Sequence, residues 1–295
     1  MQLKWPYEGA APPTDDMPLF AQPGSNICLD FHGDPGAAQL VVFSDGNHYM
    51  ALAEALALFR SRHPKVNDIF YATTPPRVIV QMLKSGSLLL GNLELSVAPH
   101  VFISPASVLE RLREDGYVRE HTPFVTSRGS VMLVRKGNPK HIAGIVDLMR
   151  EDVRIFLSNP AAETFSYEAY ATTLRHIAVR DGLNCGFLDA PPGALPRMVY
   201  GDCIHHREAP QCLADDRADV AIISYHLALR YTRTFPDVFG IVPLSESAEN
   251  DLDQTRGTIH IGIVGDGGKW GPSLVGFMLG DDVAALYRRH GLIST

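Results

Sequence analysis

One pattern recurs along the chain: a short continuous apolar run, a polar turn, then a segment with apolar residues at helical spacing. Leu40-Val41-Val42-Phe43 is followed by Ser44-Asp45-Gly46-Asn47 and by Leu52, Leu56 and Phe59. Ile69-Phe70-Tyr71 leads through Thr73-Thr74-Pro75-Pro76 to Ile79, Met82 and Leu83. Val101-Phe102-Ile103 leads into Ser104-Pro105, which has the form of an N-cap followed by Pro at the first helical position. Strands that alternate with helices predict an α/β architecture, a mostly parallel sheet with helices on both faces.

Between these units, Leu88 to Leu95 has the form of a hairpin turning at Gly91-Asn92. A long strand is expected from Phe124 through Ser127 and Gly129 to Val134, and it is the best candidate for a segment crossing between lobes. A second series follows: Val153 to Leu157 with Ser158-Asn159-Pro160 and a helix through Phe165, Ala169 and Ile177; Met198 to Tyr200; Val220 to Ile223 with Ser224 and a helix from Tyr225. Gly240 to Leu244 carries the chain back, Ile259, Ile261 and Ile263 alternate as a strand does, and Asp281 to Arg289 has helical composition. The expected organisation is an N-terminal arm over 1–36, a discontinuous lobe over 37–124 and 246–295, and a second lobe over 125–245. At 295 residues, two lobes is also the expectation from length.

A chain with 45% hydrophobic and 20% charged residues can bury a core. The net charge of −7 gives no basic footprint for phosphate backbones, so nucleic acid is not an expected partner. The longest apolar runs fall far short of the ~20 residues needed to cross a bilayer. The start of the sequence has no apolar stretch of the secretory type, which leaves either a cytoplasmic protein or one whose signal has been removed. Cys28, Cys185, Cys203 and Cys212 lack C-x-x-C spacing; Cys203 with Cys212 closing a loop, or unpaired buried thiols, are both open.

In open α/β sheets, ligands bind beyond the carboxyl ends of the strands. That rule collects the polar loops into one set: Ser44, Gly46, Asn47 and His48; Thr73 and Thr74; Ser104; Thr126 and Ser127; Asn159; Ser224 and Tyr225. These are mainly neutral donors, and beside helix N-termini they suit an oxyanion or a carboxylate. The same residue types also cap helices that bind nothing. Tyr49, Tyr71, Phe102, Phe124 and Tyr225 lie near these loops, so a larger apolar ligand is the alternative.

No catalytic residue, cofactor or metal site is assigned. His205 and His206 are adjacent and lack the same-face spacing of H-E-x-x-H, and the chain has neither G-x-S-x-G nor G-x-x-x-x-G-K-[ST]. A Ser/His/Asp set assembled from distant positions is the enzyme reading that motifs do not address.

Phe43-Ser44-Asp45-Gly46-Asn47, Tyr71 to Pro76, Val134 to Lys140, Asp152-Val153-Arg154, Ser158-Asn159-Pro160, Ile204 to Pro210 and Ala284 to Gly291 follow one another in an order that resembles the molybdate-binding-like branch of type II periplasmic solute-binding proteins. The resemblance implies a two-lobed Venus-flytrap fold with a ligand cleft between the lobes. It also implies a monomeric, periplasmic protein whose signal is removed, working beside an ABC-type membrane permease, with no enzymatic activity. By position it brings Ser44 to Asn47, Thr73, Thr74, Ser127, Asn159 and the segment from His205 to Arg207 to the ligand, so that His206 and Arg207 join the candidate set. Three departures concern the ligand: Arg77 stands where the pattern often has Gly, Glu208-Ala209-Pro210 replaces Gln-Thr-Pro, and Ser224-Tyr225 lies where Trp is frequent. The functional expectation is capture of an oxyanion or small carboxylate for transport, with a carrier of an apolar ligand or a ligand-sensing regulatory domain as alternatives.

Overall fold

The computed structural model describes residues 1–4, 30–90, 93–202, 204–245 and 257–294. The chain falls into two compact units. One, here the split unit, is Tyr7–Thr126 with Gly257–Thr295; the other, the inserted unit, is Ser127–Arg256 with Met1–Pro6.

The split unit begins with β1 (Phe31–His32), β2 (Leu40–Ser44), α1 (Tyr49–Arg62), β3 (Ile69–Ala72) and α2 (Pro76–Ser85). It continues with a hairpin of β4 (Ser87–Leu90) and β5 (Leu93–Ser96), then β6 (Val101–Pro105), α3 (Ala106–Glu114) and β7 (Val118–Ser127). The pairing of β4 with β5 is antiparallel, and the Gly91-Asn92 turn expected between them lies outside the described residues. The inserted unit runs β8 (Ser130–Arg135), β9 (Ile155–Leu157), α4 (Thr164–Arg180), β10 (Met198–Tyr200), α5 (His205–Ala214), β11 (Val220–Ser224), α6 (Tyr225–Thr234) and β12 (Phe239–Val242). The split unit is completed by β13 (Thr258–Val264), α7 (Gly271–Met278), α8 (Asp281–Arg289) and β14 (Leu292–Ser294).

Among the described residues the split-unit sheet has the order β1-β3-β2-β6-β13-β7-β14 and the inserted-unit sheet β10-β9-β11-β8-β12. Strands β2, β3 and β6 are parallel, and β13 lies antiparallel between β6 and β7. In the inserted unit β9, β10 and β11 are parallel, and β8 lies antiparallel between β11 and β12. Both sheets therefore follow one five-strand plan, second-first-third with a reversed strand before the fourth. The expected parallel sheets are therefore mixed, because β8 and β13 run against their neighbours.

Consecutive residues of β2 serve opposite faces. Leu40 and Val42 enter a core with Ala51, Leu56, Phe59, Leu274 and Tyr287, while Val41 and Phe43 enter another with Ile79, Met82, Phe102 and Leu109. A strand covered by helices on both faces needs an unbroken apolar run, which is the pattern the sequence shows. Helix α2 takes Pro76 in its first turn and ends on Gly86 at φ 68°, the left-handed C-terminal position that glycine adopts without strain.

Some expectations need correction. The single strand from Phe124 to Val134 is two strands, because Gly129 at φ 88° turns the chain between β7 and β8. Ser104 is not an N-cap: Pro105 holds that position for α3, and Ser104 is the penultimate residue of β6. The N-terminal arm is not wholly irregular, since Phe31–His32 pairs antiparallel with β3 and Leu3 is buried, its N–H donating to Gln211 Oε1. The rest of that arm, 5–29, lies outside the described residues, as do Cys28 and Cys203. Cys185 and Cys212 are free, buried thiols, so Cys212 closes no disulfide loop.

Candidate functional site

In the split unit, register fixes where the loops start. Phe43 is paired with Ala72 and with Phe102, so Ser44, Thr73 and Ser104 emerge at one edge of the sheet. Gly46 then passes so close to β3 that a Cβ would stand 2.4 Å from the Thr73 carbonyl oxygen, and no other residue fits there. The predicted residues are brought together, but their hydrogen bonds separate them into two groups.

Ser44 and His48 are wholly buried and spoken for. Ser44 Oγ donates to the Asp45 carbonyl at 3.0 Å, which makes it the acceptor for His48 Nε2 at 3.1 Å; His48 Nδ1 then accepts from Tyr287 Oη at 2.9 Å. Thr73 is also bound within the fold, its N–H to the Asp30 carbonyl and its hydroxyl beside His32 Nε2. Thr74 Oγ1 and Ser104 Oγ, by contrast, are buried and have no hydrogen-bond partner in the chain. An unmatched buried hydroxyl costs about 1–3 kcal/mol, so two at one sheet edge are not explained by folding alone.

Asp45, absent from the sequence-derived set, sits in the same loop. Its carboxylate accepts the Asn47 N–H at 3.0 Å and lies 3.4 Å from the Asn47 side-chain nitrogen, which uses Asn47 as a brace. Burial pushes the Asp45 carboxyl up to about 6, opposed by the hydrogen bonds from Asn47. Its position between two predicted residues was visible in Ser44-Asp45-Gly46-Asn47; the burial that perturbs it was not.

The inserted unit repeats the arrangement with different chemistry. Ser158, just past β9, is fully buried with an unpartnered hydroxyl, while Asn159 Oδ1 caps the Ala161 N–H at 3.0 Å. Past β10, His205 stacks on Phe156 with ring centroids 4.9 Å apart and lies against Tyr170, so it belongs to the core under the loop. Its neighbour His206 leaves Nε2 buried without a partner, and burial foremost, then the charge of Arg207, holds that imidazole neutral by lowering its pKa far below the usual range. Arg207 is half-buried on α5. The Glu208 carboxylate accepts the N–H groups of Asp202 and Ile204 at 2.8 and 2.7 Å and closes the start of α5.

Ser127 Oγ accepts the Gly129 N–H at 3.1 Å, and the Gly129 carbonyl accepts the Tyr225 N–H at 2.9 Å. These bonds place Arg128 over the Tyr225 ring, 4.8 Å from its centroid, a cation–π contact past the end of β11. The opposite end of this sheet is closed by ion pairs. Buried Asp219 accepts from Arg154 through both oxygens and pairs with Arg135. Unmatched polar atoms occur at both ends of this sheet: Ser158 Oγ and His206 Nε2 past the carboxyl ends of β9 and β10, and Arg135 Nε beside the ion pairs at the other.

The aromatic alternative loses its main residues, since Tyr71, Phe102 and Phe124 are buried in the split-unit cores. Among the described residues, no group of three or more His, Cys, Asp or Glu side chains is arranged to hold a metal ion, and no helix is long and apolar enough to cross a membrane.

Similarity to known proteins now bears on these loops. No curated protein sequence matches the chain. Solved structures with the same fold include PEB3 from Campylobacter jejuni (TM-score 0.58, 15% identity, 87% of this chain and 100% of that one). Others are the periplasmic molybdate-binding protein of Azotobacter vinelandii (0.57, 13%, 86% and 99%) and the sulfate-binding protein SubI of Mycobacterium tuberculosis (0.56, 14%, 86% and 85%). These are two-lobed α/β binding proteins, and at such identities the likeness is one of fold. The profile of the bacterial extracellular solute-binding proteins matches residues 40–293, from β2 to β14, and the chain belongs to that family.

Proposed function

We propose that this protein captures a small oxyanion or carboxylate with neutral donors from its strand-end loops and, as a monomer outside the cytoplasm, hands it to an ABC-type permease. The observation that carries this reading is four of the buried polar atoms that have no hydrogen-bond partner among the described residues: Thr74 Oγ1, Ser104 Oγ, Ser158 Oγ and His206 Nε2. Each lies at or just past the carboxyl end of a parallel strand, or on the helix that follows it. Hydroxyl and imidazole donors bind a dehydrated anion without a formal positive charge, and Arg128 adds one charge at the inserted-unit edge.

Structures of like fold support the ligand class: PEB3 is known with L-phospholactate bound, and the Azotobacter and Mycobacterium proteins bind molybdate and sulfate. The net charge of −7 weighs against a polyanionic partner such as nucleic acid. Capture without turnover fits the family, whose members bind and deliver solutes.

A thermal-shift screen against molybdate, tungstate, sulfate, phosphate, small carboxylates and a lipid extract tests the reading. One oxyanion or carboxylate at about 100 times its Kd stabilises the protein by about 2.7 kcal/mol. A shift with the lipid extract alone overturns the anion assignment in favour of an apolar ligand.

A further inference from the structure

A second cluster lies on the split unit among residues the ligand loops do not use. On α3, Arg113 grips the Glu110 carboxylate through Nε and Nη2. Glu110 Oε2 in turn accepts from His121 Nε2 of β7 at 3.0 Å. On the other side of that ring, His121 Nδ1 stands 2.9 Å from His260 Nδ1 of β13. His260 alternates with Ile259 and Ile261, which enter the opposite core, so it shares the α3 side of the sheet with His121.

The proton positions follow from this ladder. Arg113 first, then His121, hold the Glu110 carboxyl down at about 2, so it is an anion that fixes the His121 proton on Nε2. With Nε2 on Glu110, His121 turns its Nδ1 to the His260 Nδ1 2.9 Å away, one ring donating and the other accepting. Two imidazole nitrogens face each other at 2.9 Å, one of the rings oriented from behind by a carboxylate. That is the ligand-plus-outer-partner arrangement in which histidine binds metals.

We propose that His121 and His260 form a two-histidine site for a divalent transition-metal ion such as Zn2+, Ni2+ or Cu2+, with Glu110 as the outer partner of His121. A metal–nitrogen distance of about 2.0–2.1 Å at a tetrahedral angle separates two ligand nitrogens by about 3.3 Å, so the rings need to part by only a few tenths of an ångström. Metal binding displaces the proton shared between the rings, and affinity falls as pH drops through the imidazole range. No oxygen-rich shell is present, which disfavours Mg2+ and Ca2+. With no third His, Cys, Asp or Glu in a ligating arrangement among the described residues, water completes the coordination.

Calorimetric titration of Zn2+ into the metal-free full chain tests this. The expected result is one saturable site, weakened at least tenfold in His121→Gln and in His260→Gln and several-fold in Glu110→Gln, with no saturable heat from Mg2+. No saturable Zn2+ binding in the wild type, or undiminished binding in the His121→Gln/His260→Gln double variant, overturns the proposal. Electron paramagnetic resonance of the unmutated protein with one equivalent of Cu2+ gives a check that depends on no variant. Hyperfine structure from two ring nitrogens is expected, and one or none contradicts it.

Discussion

The split and inserted units use the same five-strand plan and place equivalent serines at the end of the first parallel strand, yet the two serines do opposite things. Ser44 is locked into a buried chain running from Tyr287 through His48 to the Asp45 carbonyl. Ser158 has its hydroxyl buried and unmatched. The difference arises from α8, which brings Tyr287 under the first loop of the split unit and has no counterpart among the described residues of the inserted one. One plan thus yields a loop stiffened from below and a loop whose polar atom is left for something outside the fold. In the split unit that second role passes to Thr74 and Ser104.

The comparison breaks first at His48. Replacing it with Ala removes a buried ring and strands both Ser44 and Tyr287, so we expect a loss of about 4 kcal/mol in unfolding free energy, read by chemical denaturation. A loss under 1 kcal/mol means that the chain of hydrogen bonds does not brace the loop.

Asp45→Asn sharpens the same point with the opposite sign. A carboxyl whose pKa is raised in the folded state binds its proton more tightly there than when unfolded. Asp45 therefore destabilises the fold progressively as pH rises from about 4 through about 6. The Asn variant, which keeps the acceptor for the Asn47 N–H, should be more stable than wild type by up to about 3 kcal/mol at pH 8 and indistinguishable near pH 3.5. Equal stability at both values places Asp45 in water. The same titration predicts that anion affinity in the wild type rises as pH falls through about 6, with that dependence flattened in the variant.

A smaller effect separates the two serines. Ser44→Ala should cost about 1–2 kcal/mol of stability with little change in anion affinity. Ser158→Ala should leave stability within about 0.5 kcal/mol and weaken binding about tenfold. Matched behaviour of the two variants in both measurements would erase the distinction between a bracing and a binding serine.

Much of this plan was legible in the chain. Continuous apolar runs such as Leu40 to Phe43 and Val220 to Ile223 marked strands covered on both faces, and the polar residues after them marked the carboxyl-end loops. Direction was not legible for β8 and β13, because an apolar run carries no signal of which way its strand enters a sheet. Nor was the break at Gly129, since one glycine in an otherwise extended run resembles a weak point in a strand as much as a turn. Within the loops, residue type does not separate a brace from a ligand: His48 has the type of a ligand, and Tyr287, 239 positions away, sits on its Nδ1.

The measurement that bears most directly on the central claim is the binding isotherm of the stabilising anion against wild type, Thr74→Ala and Ser158→Ala, one variant from each unit. Roughly tenfold weakening in both, with folding stability preserved, is the predicted result. Affinity unchanged in either variant would contradict the assignment of these unmatched hydroxyls, in both units, to the ligand.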